Sequence, residues 1–273
     1  MSVVVMTREM GTLGKDVARE FARRKGYSVF HHELVTDSRD RARRGGESEV
    51  YRFLEGSEAE IDTWRTNRAQ DGYLTTEEVL EIALEGDVLI RGWGATKLLR
   101  SVPNVLSVRV CAPMENRIAT MQERLGVDAR TARREIERSD AAHSRTFLRF
   151  FEADWRDPAN YDLVLNTAHV SPMTCAEILL DAVAAGTFEE TDEMRRALGD
   201  MALEARVKAL IAGEPSLSGQ GRHIGVTVEN ARVRLYGVVS NGRSRRAAEE
   251  LISRAAGVRE VTNEIAEASG FVE

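Results

Sequence analysis

The opening stretch, Val3-Val4-Val5-Met6-Thr7-Arg8-Glu9-Met10-Gly11-Thr12-Leu13-Gly14-Lys15-Asp16-Val17-Ala18, leaves this chain few folds to choose from. A β-branched apolar run too short for a helix enters a turn with two glycines, and the helical spacing of Val17, Ala18, Phe21 and Ala22 begins at once. The expected order is strand, loop, helix N-terminus. Unpaired N–H groups at a helix start, with the positive end of its dipole, attract an anion, and glycine lets the backbone approach it closely. Lys15 adds a point charge. Gly11, Thr12, Leu13, Gly14, Lys15 and Asp16 are therefore candidate phosphate-binding residues.

The stretch fits the nucleotide-binding pattern G-x-x-x-x-G-K-[ST] only in part. Gly14-Lys15 match it, whereas Glu9 stands at the first glycine position and Asp16 at the hydroxyl position. Two carboxylates thus stand where a triphosphate is expected. A β-to-α turn that merely favours glycine, with Asp16 complementing the dipole of its helix, is the plainer reading and stays open here.

At 273 residues, 42% of them hydrophobic, the chain is long enough for one sizeable core and a second small one, so two domains are expected. A net charge of -6 argues against a general nucleic-acid binder. Cys111 and Cys175 belong to no C-x-x-C pair and suggest neither a zinc site nor a disulfide framework; no metal-ligating set is expected. The first apolar run stops at Met6 and no later stretch approaches a membrane span, so a cytoplasmic protein without a transmembrane segment is expected.

Periodicity orders the rest. Helix 17–24 stops at Lys25-Gly26, and strand 27–30 leads into His31-His32-Glu33. The polar tract from 37 to about 73 reads as a mobile insertion with helical patches at 49–54 and 59–64. A helix over 79–84 precedes strand 87–90, which runs into Arg91-Gly92-Trp93-Gly94. Strand 105–111, helix 115–125, a long helical region from 128 to about 151, strand 161–167 and helix 173–185 follow. The order β-α-β-α-β-α-β-α-α-β-α, with continuous apolar strands, predicts an α/β fold: a doubly wound five-stranded parallel sheet with ligands at the carboxyl ends of its strands. His31, Arg91 and Trp93 stand at such ends. Neighbouring positions on an extended segment point to opposite sides, which disfavours metal ligation by His31-His32-Glu33.

The long helical region is rich in arginine, and planar guanidinium forks suit the charge spread over a transferring phosphoryl group. Arg134, Arg138 and Arg145 share a face by steps of four and seven, and Asp140 is placed to orient one of them. A solvated face paired with Glu123, Glu135 and Glu137 is the alternative. Beyond it, residues 1–185 are read as the first domain, 186–197 as a polar linker, and 198–273 as a second, small α+β domain: helix 201–211, strands 224–228 and 231–239 joined by Glu229-Asn230, helix 244–255 and strand 258–265.

Thr7-Arg8 with the Gly11-Thr12-Leu13-Gly14 loop, Val88-Leu89-Ile90 before Gly92 and Gly94-Ala95, Pro103-Asn104-Val105-Leu106, Ala112-Pro113 with Arg117, and Tyr161-Asp162-Leu163-Val164-Leu165-Asn166-Thr167 together resemble the cytidylate kinase-like family, a branch of the P-loop nucleoside monophosphate kinases. The resemblance implies ATP as phosphoryl donor, magnesium (Mg2+), a nucleoside monophosphate acceptor, a mobile acceptor-binding insertion and an arginine-bearing lid. Carried onto this chain, it gives Lys15, Arg134, Arg138 and Arg145 the transfer, the loop residues and Arg117 the donor nucleotide, and His31, Arg91, Trp93 and Asp140 the acceptor. The chain departs from the family at Leu13 (a third loop glycine), His31 (an aspartate), Trp93 (an arginine after glycine) and His143 (an arginine three residues after the aspartate). Residues 198–268 resemble a BON domain through Val233-Arg234-Leu235-Tyr236-Gly237-Val238-Val239 and Ala256-Gly257-Val258-Arg259-Glu260-Val261-Thr262-Asn263, which implies a lipid, small-ligand or protein partner.

Three functions follow. The first is ATP-dependent phosphoryl transfer to a nucleoside monophosphate, CMP-like, or a similar small acceptor. The second is a catalytically degenerate nucleotide-binding regulator of the C-terminal module, motivated by Glu9 and Asp16 beside the cradle. The third is an interaction protein whose working part is the BON-like unit.

Overall fold

A computed structural model of the chain describes residues 2–31, 76–92, 94–217 and 221–268. The expected insertion at 37–73, His32 and Trp93 lie outside them. The chain divides into two compact units, the first within residues 1–75 and 85–191, the second within residues 76–84 and 192–273.

In the first unit, β1 (Val3–Arg8), β2 (Ser28–His31), β3 (Val88–Arg91), β4 (Val105–Cys111) and β5 (Leu163–Asn166) form one sheet in the order β2-β3-β1-β4-β5. Every pairing is parallel, which is the doubly wound α/β architecture the apolar strands predict. Val3 to Met6 are fully buried because helices cover both faces. Helix α1 (Gly14–Lys25) turns Val17, Ala18, Phe21 and Ala22 inward against Cys175, Ala176, Leu179 and Val183 of α6 (Pro172–Ala184). Each large side chain buried there stabilises the unit by about 1.5–3 kcal/mol. Gly26 ends α1 in the left-handed conformation, φ 77°, and returns its N–H to Ala22.

Two helices follow β4: α4 (Met114–Leu125) and α5 (Ala129–Phe151), after the short α3 (Ala95–Leu98) between β3 and β4. Asp128 caps α5, its carboxylate accepting from the Thr131 N–H, and that bond holds its pKa below the usual carboxylate range. Ile118 and Met121 of α4 meet Ala132 and Ile136 of α5. Met10, from the loop after β1, inserts into the same cluster, so the loop is anchored by apolar packing as well as by polar bonds.

The second unit is a mixed three-stranded sheet, β6 (Ile224–Glu229), β7 (Arg232–Val239) and β8 (Glu260–Glu267), with β6 antiparallel and β8 parallel to the central β7. Helices α7 (Asp192–Gly213) and α8 (Gly242–Ser253) bury Leu203, Val207, Ile211, Ala248 and Ile252 against Val226, Val233, Leu235 and Ile265. Three local readings are revised. Residues 192–197, expected as linker, are the first turns of α7, where Met194 and Leu198 are buried four apart under a polar exterior. The hairpin turn is Asn230-Ala231, both left-handed, rather than Glu229-Asn230. Helix α2 (Thr76–Glu85), expected in the first domain, packs with the second unit through residues 76–84, and its Glu77 and Glu81 both receive Arg206 of α7 at 2.9 and 3.2 Å. Among the described residues no helix is long and apolar enough to cross a membrane.

Candidate active site

Strand β1 ends at Arg8 and the chain must turn before α1 can pack on the sheet. Gly11 makes the turn at φ 78°, a region that favours glycine. A Cβ there would lie 2.7 Å from the Arg117 carbonyl oxygen, so close packing excludes a side chain too. Gly14 is confined in the same way, by the Arg8 side chain at 2.9 Å.

The start of α1 is not capped by a side chain. Asp128, Ser171 and Asn241 cap their helices through an oxygen, whereas α1 follows Leu13, which has none. The amides of Asp16 and Val17 turn back to the Leu13 carbonyl, and the Thr12 N–H and hydroxyl both go to the Glu9 carbonyl. The N–H groups of Met10, Gly11 and Leu13 have no acceptor among the described residues. Lys15 stands half-buried in the first turn. Unpaired donors at a helix start, one of them on a left-handed residue, suit an anion.

Behind the loop lies a buried ionic cluster. Glu9, 6% exposed, accepts from Arg109 Nη2 at 2.6 Å and from the Ala112 N–H at 3.3 Å, and stands 3.5 Å from Arg117 Nη1. Arg117 donates Nε to the Met10 carbonyl at 2.7 Å, and Nη1 and Nη2 to the two Asp140 oxygens at 2.9 and 2.7 Å. Arg156 reaches Asp140 at 3.3 Å, while Arg109 donates to the Arg156 carbonyl and lies over the Trp155 ring. Three guanidiniums, that of Arg156 half-exposed, thus face the two carboxylates of Glu9 and Asp140. Tyr161 donates to the Trp155 carbonyl, and burial pushes its hydroxyl pKa far up, so it remains a neutral donor. Burial and then the Glu9 charge raise the Cys111 thiol, which disfavours a nucleophilic thiolate.

This arrangement changes the sequence reading at several residues. Glu9 is not an unscreened carboxylate. Asp16 is not either: it is paired with Arg19, and with Arg124 at 2.7 Å. The charge argument for a degenerate regulator therefore loses its basis. Asp140 orients none of Arg134, Arg138 and Arg145. It lies on the buried face of α5, whereas those three are on the exposed face, Arg134 and Arg138 resting loosely against Glu135 at 3.6 and 3.9 Å. Arg117, expected near the donor base, is buried with its guanidinium engaged inside the protein. Breaking such a pair costs about 3–5 kcal/mol, so an internal role wins over a ligand contact.

The structure does bring other candidates together. Gly11, Thr12, Leu13, Gly14, Lys15 and Asp16 form one turn. His31 and Arg91 are register partners at the ends of β2 and β3, and Arg91, buried, is also opposite Met6 of β1. Arg109 and Arg156 were missed. Arg109 carried a signal: a guanidinium between Val108 and Val110 in a strand buried on both faces requires a carboxylate partner.

Residues 3–169 match the cytidylate kinase-like family, and residues 199–268 match the BON domain. A cytidylate kinase of Pyrobaculum aerophilum is 27% identical over 183 residues, 66% of this chain and 92% of that protein. Among solved structures, an uncharacterized protein from Eubacterium ventriosum has a TM-score of 0.48 at 18% identity, covering 67% of this chain and 98% of its own. The shikimate kinase of Acinetobacter baumannii, in complex with shikimate, has a TM-score of 0.37 at 14% identity, covering 69% and 96%. The family match and the curated relative support phosphoryl transfer of the nucleotide-kinase kind. With a family match over more than half its length, the chain belongs to the cytidylate kinase-like family and carries a BON domain in its second unit.

Proposed function

We propose that the protein transfers a phosphoryl group from ATP to a nucleoside monophosphate, CMP-like in kind, at the carboxyl ends of β1, β2 and β3. The observation that carries this reading is the uncapped start of α1, where the Met10, Gly11 and Leu13 amides have no protein acceptor among the described residues. Those donors and Lys15 suit the oxygens of a triphosphate. ATP supplies the phosphoryl group. No group of three or more metal-ligating side chains occurs among the described residues, and Asp16 is occupied by arginines. Magnesium needs no such cage, since it keeps several waters and is bound largely through substrate phosphates.

Arg91 and His31 would contact the acceptor, and Trp93, which lies outside the described residues, is the third candidate. Arg134, Arg138 and Arg145, on the exposed face of α5, are the groups that would stabilise the transferring phosphoryl. Such a reaction needs no protein nucleophile, because positioning and charge stabilisation supply most of the rate. The test is to mix the full chain with ATP, magnesium and each nucleoside monophosphate in turn. Diphosphate is expected with at least one of them, CMP first; none with any of them overturns the proposal. A lipid, small-ligand or protein partner of the BON domain is a separate proposal, checked by co-sedimentation of the full chain with liposomes and by pull-down.

A further inference from the structure

We propose that Glu9 is a positioning residue that presets the phosphate-binding amides, an inference that rests on the reading above. Every polar group of Glu9 is used. Its N–H extends the β1–β4 ladder to the Val110 carbonyl at 3.1 Å; its carbonyl takes the Thr12 N–H at 3.3 Å and the Thr12 hydroxyl at 2.8 Å; its carboxylate takes Arg109 and Ala112 and faces Arg117.

The consequence for the loop follows from peptide planarity. In a trans peptide the C=O and the next N–H point in opposite directions. The Glu9 carbonyl is held within the turn by Thr12, so the Met10 N–H is directed away from Thr12. The Met10 carbonyl is held by Arg117 Nε, which directs the Gly11 N–H away in turn. Arg117 can hold it because Asp140 fixes both Nη atoms of its guanidinium, with the Glu9 carboxylate 3.5 Å from Nη1. A carboxylate at the position of a motif glycine thus acts through its neighbours and not as a charge presented to the ligand.

The two roles predict opposite signs. If Glu9 acts on ATP only as a nearby negative charge, Glu9→Gln tightens binding. As a positioning residue it cannot be replaced by glutamine, which offers one acceptor oxygen and places an NH2 donor against Arg117 and Ala112. Calorimetry of magnesium-ATP binding to the full chain, at a temperature where both proteins are folded, is expected to show affinity weakened by about tenfold or more in Glu9→Gln. Amide exchange over residues 9–14 without nucleotide is expected to quicken. Arg117→Lys is the second variant. It keeps the charge but cannot hold Met10 and Asp140 together, and it is expected to weaken ATP as well. Equal or tighter binding by Glu9→Gln, or unchanged binding by Arg117→Lys, overturns the inference while leaving the kinase reading intact. Absence of ATP binding by the unaltered protein overturns both.

Discussion

Two turns in this protein expose neighbouring backbone N–H groups, and the chain completes them differently. In the hairpin between β6 and β7, Asn230 and Ala231 both adopt positive φ, 52° and 62°, and donate to the two oxygens of Asp200 at 2.7 and 2.8 Å. In the loop between β1 and α1, Gly11 also has positive φ, but the local carboxylate, Glu9, is turned away into β4 and α4. The hairpin shows what a chain does when such donors serve structure alone: it supplies the anion itself. At the loop it supplies a rigid frame and a lysine instead.

That contrast can be tested from both sides. Lys15→Ala is expected to lower kcat/KM for phosphoryl transfer by about 10²–10³-fold with little change in thermal stability, as loss of a preorganised charge contact does. A coupled diphosphate-formation assay beside a melting curve checks it. Gly11→Ala should weaken ATP and destabilise the first unit by about 1–3 kcal/mol, because the positive φ strains any side chain and Arg117 leaves no room for one. Denaturant unfolding gives the number. Asp200→Ala is expected to cost about 1 kcal/mol in the second unit, half-exposed as the carboxylate is, and to leave ATP affinity unchanged. A loss of ATP affinity there would blur the distinction between the two turns. The smallest effect is expected from Ala231→Gly: relief of the left-handed conformation exceeds the entropy lost by glycine, for a net gain of about 0.5 kcal/mol, readable as a raised midpoint.

Most of the first unit was legible because its strands are short and mostly apolar, its helices are amphipathic, and Gly26 and Gly126 end α1 and α4 where expected. Two glycines and a lysine marked the loop as the candidate phosphate site. What surrounds it was not. Sequence spacing tells which residues share a helical face but not whether that face is inward. Arg134, Arg138 and Arg145 were grouped correctly on a face that proves exposed, while Asp140, on the opposite side of the same helix, serves Arg117. Glu9 looked like a liability because its partner Arg109 lies a hundred residues away, and Asp16 because Arg124, which joins the nearby Arg19 on it, is similarly remote. Long-range ion pairs leave no periodic trace. Helix α7 was missed for another reason: its buried stripe of Met194, Leu198 and Ala202 does recur every four residues, but it begins inside a segment that composition marks as linker.

The membership of residues 76–84 in the second unit bears on how these two parts can be inherited. Glu77 and Glu81 fall inside the kinase-like match, at 3–169, whereas the arginine they share, Arg206, falls inside the BON match, at 199–268. A gene cut between the two matched segments would separate acids from base. Grafting the C-terminal part onto another kinase would therefore require this helix to travel with it, and shuffling by simple end-to-end fusion would carry only half of the contact.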